Sequence, residues 1–172
     1  MFTRRSATSA LAFAVLLSLG GCMSDNGAND PLPRMSEEKA EEWARHWTES
    51  MARTAKARID ATTVGASFTN CVGKNNESAS DGRFTLSYRV LAGLPKEQHA
   101  AAVRAIRDAL KQQGLEIQDF RSDPALSTPN LLYAKHPKDR HFIAVIDPDD
   151  GYLTLTVDTP CLLPPGAEQQ QF

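Results

Sequence analysis

Ser36 and Lys39 stand three residues apart at the head of an apolar-periodic stretch, a spacing in which a lysine can activate a serine nucleophile. No Lys-Thr-Gly follows, and Ser24-Asp25-Asn26 lies ahead of the serine rather than after it. Ser36 is therefore expected to cap a helix. His136 and His141 fall close to Asp139 and Asp147, residue types that together can hold a metal ion. Structural zinc prefers tighter His and Cys spacings, and Pro137-Lys138 marks a polar loop, so no metal is expected there. Asp147, Asp149 and Asp150 could cup calcium, but Gly151 stands where an EF-hand order needs a third acid. A hairpin turn is the expected structure. His99 sits on an apolar helical stripe, where it could sense pH or act as a general base. The simpler expectation is a partly buried, hydrogen-bonded histidine. Trp43 and Trp47, one helical turn apart, are expected to pack on the core rather than line a ligand pocket. The chain has no Gly-x-Ser-x-Gly elbow, and its ten glycines are scattered rather than gathered in a phosphate loop. No enzymatic activity and no cofactor are expected.

Those side chains must be carried to their place of work, and the N-terminus says where that is. Arg4 and Arg5 precede an apolar run from Ala10 to Leu19, followed by Gly20, Gly21 and Cys22. A positive flank, a short apolar core and a small-residue site predict a secretory signal. The apolar run is well short of the roughly 20 residues that span a bilayer. Leu19-Gly20-Gly21-Cys22 resembles a bacterial lipobox. The resemblance implies that Cys22 is lipidated and becomes the new N-terminus, anchoring the protein through more than one acyl chain. Removing residues 1–21 takes away Arg4 and Arg5 and no acid, which moves the formal charge from −2 to −4. An acidic domain is not drawn to anionic lipid by its own field, so the lipid must hold it there. Nor does it offer the basic footprint of a nucleic-acid binder.

Lipidation of Cys22 leaves Cys71 and Cys161 of the three cysteines. An even pair in an exported protein predicts a structural disulfide, and no Cys-x-x-Cys spacing suggests a redox role.

The mature chain should begin with a lipidated Cys and flexible tether over 22–35, followed by a globular domain over 36–161 and a loose tail over 162–172. Acids crowd the first turns after Ser36, and Ala40, Trp43, Trp47, Met51, Ala55 and Ile59 recur at helical spacing, with basic residues at the far end. Residues 67–73 suggest a short strand, and 83–91 alternate with Phe84, Leu86, Tyr88 and Val90 on one face. Pro95 opens a second helix with His99, Val103, Ile106 and Leu110 inward, and Gly114 closes it. Strands are expected over 115–121, 130–135, 141–147 and 152–157. The order α-β-β-α-β-β-β-β predicts a single α+β domain. Its curved antiparallel sheet should have about five to six strands, with two helices packed on one face.

Taken together, the lipobox, the polar tether, the Trp-bearing first helix, Ser67-Phe68-Thr69-Asn70-Cys71 and Thr159-Pro160-Cys161 resemble the small secreted lipoproteins of actinobacteria. That resemblance implies location on the extracytoplasmic face of the cell membrane and assigns no ligand-binding residues. The expected role is a membrane-anchored binding or interaction module with an envelope protein as partner and no nucleic acid. The rival readings are a carrier of a small apolar ligand or lipid, held between the sheet and Trp43/Trp47, and, third, an enzyme with an unrecognised site.

Overall fold

A computed structural model of the chain describes residues 30–73, 75–148 and 150–171. The signal segment, Cys22 and the first part of the tether lie outside the described residues. The fold is α+β, with two helices and one six-stranded antiparallel sheet. Helix α1 spans Glu37–Ala55. Strands β1 (Arg58–Asn70) and β2 (Phe84–Gly93) follow, then helix α2 (His99–Gln112) and strands β3 (Glu116–Ser122), β4 (Asn130–Lys135), β5 (Phe142–Ile146) and β6 (Tyr152–Asp158). The sheet order is β1-β2-β6-β5-β4-β3. Helix α2 therefore carries the chain from near one edge to the other. The β3–β6 meander then returns and closes against β2.

The register explains the core. Tyr88, Val157, Ile143, Ala134 and Ile117 form one cross-strand row, and Val90, Leu155, Val145, Leu132 and Phe120 form the next. Both rows face the helices, and all but Ile117 and Phe120 are buried. Along β2 the alternate residues Ser87 and Arg89 are exposed, so that strand keeps one face in water. Among the described residues no helix is long and apolar enough to cross a membrane.

Helix α1 starts as its sequence suggests: Ser36 is extended and its side chain accepts from the Lys39 N–H. Lys39 itself turns to Glu42, 2.7 Å away. The helix ends earlier than its apolar periodicity suggests. Lys56 adopts a left-handed conformation (φ 55°), and the Ala57 N–H returns to the Ala52 carbonyl, a helix-ending arrangement. Ile59 therefore lies in β1, not on the helical stripe, and β1 runs from Arg58 to Asn70 with an irregularity between Asp60 and Gly65. The residues of α1 that go deepest are small (Ala40, Ala44 and Thr48), which lets the helix approach the sheet closely while Trp43 and Trp47 pack at its flank. Helix α2 buries His99, Val103, Ile106 and Leu110 together with Ala102, and Gly114 (φ 87°) takes the turn out of it.

The two chain ends are not as the sequence suggests. Residues 162–171, read above as a loose tail, are held in place, and so is the tether from Asp30 onward. Met35 N–H donates to the Leu163 carbonyl and Leu163 N–H to that of Pro33. Leu32 N–H donates to Gln169 Oε1, and Arg34 reaches the Ala167 carbonyl at 2.6 Å. Gln170 accepts from Ser80 N–H and donates its own N–H to Asp81.

Candidate functional site

At one end of the sheet the clamped 30–35 segment, Trp43 of α1, the turn at 71–73, the β4–β5 loop and the 159–162 run enclose an open groove of about 740 Å³. Its apolar lining comes from Leu32, Met35, Trp43, Val72 and Leu162, with Lys138, Asp139 and Arg140 along the loop side. Cys71 and Cys161 contribute to the wall. Their sulfurs are 2.06 Å apart and their Cα atoms 6.0 Å apart, so the bridge ties the end of β1 to the run just after β6. Arg83, which also lines the groove, is buried and forms a two-pronged ion pair with Asp81 while also donating to the Gln170 carbonyl. The Arg83 guanidinium holds the Asp81 carboxyl well below the usual carboxylate range, helped by the Gln170 and Arg83 N–H groups and opposed by burial.

The β4–β5 loop joins strands whose ends are closed by His136 N–H donating to the His141 carbonyl, and Arg140 N–H turns back to the His136 carbonyl. Arg140 takes a left-handed conformation (φ 61°) that brings the chain around into β5. This folding delivers His141 inward. Its ring meets Trp43 edge-on at 4.8 Å and Trp47 at 5.0 Å, and it stacks with His136 at 5.1 Å. His141 is 1% exposed, and neither ring nitrogen has a hydrogen-bond partner among the described residues. Burial pushes its pKa down to about 4, the neighbouring His136 adds to that, and Asp139 opposes it. The imidazole is therefore neutral at physiological pH.

The residues grouped by sequence proximity separate in space. His136, Asp139 and His141 come together, each offering a ligand atom within 4.8 Å of the others. Asp147 leaves them and turns into the core, where Oδ1 lies 2.9 Å from His99 Nδ1 and Oδ2 accepts from the Asn130 amide at 2.8 Å. Ser122 donates to Asn130 in turn. Asp147 is thus not turned toward a calcium cup. The Asp147–His99 pair does not serve a nucleophile either, because His99 Nε2 faces the Leu94 carbonyl at 3.2 Å and the pair is buried. His99 is the hydrogen-bonded histidine its place on the stripe suggests.

The sequence offers little sign of the groove itself. Leu32 and Met35 sit in what reads as polar tether, and Val72 in the 67–73 stretch that reads as a short strand; the expected disulfide brings that stretch to the run around Cys161 but says nothing of the tether. No protein family, no curated protein and no solved structure matches the chain.

Proposed function

We propose that the chain is a lipoprotein anchored through Cys22 to the extracytoplasmic face of the cell membrane, with its folded domain acting as a binding module through the groove. One observation carries this reading: the groove wall is built from the same 30–35 segment that leads back to Cys22. The intervening stretch can span at most about 28 Å when fully extended. The groove is thereby kept close to the bilayer, where an envelope protein would present a segment to it. Its mixture of an aromatic and aliphatic floor with charged loop residues suits a polypeptide surface with an apolar anchor side chain.

The carrier reading has a narrower basis. The layer between helices and sheet is filled by Leu86, Tyr88, Val103, Ile106 and Leu155, so a small apolar ligand would have to occupy the groove rather than that layer.

Crosslinking and recovery from intact cells tests the proposal with the native chain beside Val72→Arg. Val72 is 58% exposed, so the change fills the groove without disturbing the core. A stoichiometric protein recovered with the native chain and lost with Val72→Arg supports the module. Equal recovery with both removes the groove from the reading. A small molecule found instead by native mass spectrometry transfers the groove to the carrier.

A further inference from the structure

We propose that the β4–β5 loop is a binding site for a divalent transition-metal ion, held by one ring nitrogen each of His136 and His141 and by a carboxylate oxygen of Asp139. Three observations meet here. The first is proximity: the three ligand atoms already lie within 4.8 Å of one another, in a loop closed by its own backbone hydrogen bonds.

The second is an imidazole in want of a partner. His141 is almost wholly buried and, among the described residues, neither of its nitrogens has a hydrogen-bond partner, a costly state for a buried polar group. Trp43 and Trp47 offer its ring only aromatic contacts. The groups close enough to share an ion with it are His136 and Asp139.

The third is spacing. Asp139 Oδ2 stands 3.3 Å from His136 Nδ1, which also accepts the Asp139 N–H at 3.0 Å, so an ion bound through Nδ1 takes the place of that hydrogen bond. On a tetrahedral ion with bonds of about 2.0–2.1 Å, neighbouring ligand atoms are separated by roughly 3.3 Å. The His136–Asp139 pair already has that spacing, and closure asks only that the exposed loop draw in toward the fixed His141 ring.

Two imidazoles and one carboxylate suit Zn²⁺ or Cu²⁺ rather than Mg²⁺ or Ca²⁺, which prefer all-oxygen shells. Because Asp139 and His141 also line the groove, a fourth coordination position would open toward it. The site does not depend on the groove's having a protein partner. Val72→Arg should leave metal binding intact, so the two proposals fail separately.

The test uses the detergent-extracted protein without an affinity tag. Zn²⁺ is titrated calorimetrically and Cu²⁺ by tryptophan fluorescence. The chain has two tryptophans, and both lie against His141, so a paramagnetic ion in the loop quenches the whole signal. One equivalent should bind, and His136→Ala and Asp139→Asn, both outside the core, should each weaken it by about tenfold or more. His141→Ala should abolish it, but that change also opens the core, so the loop variants carry the decision. His46→Ala, on the exposed side of α1, should change nothing. No binding at roughly 1 mM Zn²⁺, unchanged affinity in both loop variants, or loss in His46→Ala would overturn the site.

Discussion

Nδ1 of His99, in the first turn of α2, lies 2.9 Å from Oδ1 of Asp147 just beyond β5, and both side chains are 1% exposed. The contact joins the helix that crosses the sheet to the strands it crosses. Asn130, at the start of β4, binds the second carboxylate oxygen, so a single aspartate organises three elements.

Removing that carboxylate strands two buried polar groups at once. Asp147→Ala should cost about 3–5 kcal/mol, the range for breaking a buried charged network by deleting one member. Urea unfolding should show the midpoint falling with the slope unchanged. A loss under about 1 kcal/mol would mean that water reaches His99 and Asn130 and replaces the carboxylate.

The Cys71–Cys161 bridge closes a loop of 90 residues, nearly the whole sheet. In the chain-entropy model its reduction should lower stability by about 4–5 kcal/mol. Thermal melts with and without reductant measure this directly. Thiol labelling of the unfolded, unreduced protein should find neither cysteine free.

Asp81 gives the fold an acid limit. Its folded pKa is depressed by Arg83, so the stabilisation is complete above about pH 5. It is lost as the pH falls through the unfolded value of about 3.9 toward the lower folded one. Asp81→Asn should reduce stability at neutral pH and flatten the acid limb of a stability-versus-pH curve. A variant curve that runs parallel to the native one down to pH 2 would show that the pair is not what titrates.

Cys22→Ala should move the protein from the membrane fraction to the soluble one, since on the proposed reading lipid alone holds it there. Fractionation of cells expressing both forms checks this, and a variant that stays with the membrane would refute the anchor.

Local patterns in the sequence carried much of the fold. The α2 stripe, the bounds of β4 and the alternation of β2 emerge because each is a periodic burial pattern written in adjacent residues. The end of α1 does not, because the apolar spacing continues through Ile59 while the backbone turns left-handed at Lys56, a residue with no preference for that conformation. The C-terminal run misleads for a different reason. Pro-Pro-Gly and glutamines suggest loose chain, whereas Gln169 and Gln170 use their side-chain amides and backbone to bind Asp30, Leu32, Ser80 and Asp81. His141 is the clearest case. Its local context is a polar hairpin, and its burial comes from Trp43 and Trp47, contributed by a helix far away in the chain. The pairing of Asp147 with His99 is non-local in the same sense.

The strip where the chain ends meet also determines how the domain takes mechanical load. Arg34 and Leu163 bridge in parallel, with hydrogen bonds from Met35 to Leu163 and from Leu163 to Pro33. A domain tethered at its N-terminus and pulled by something in the groove loads these bonds along the strip, so they resist together rather than peeling one at a time. Just before Leu163, force reaches Cys161 and crosses a covalent bridge to Cys71 at the base of β1. On the proposed anchoring through Cys22, the sheet would then be gripped at its two sequence-distant ends, and tension from the membrane would be delivered to the body of the domain without first unravelling its edge.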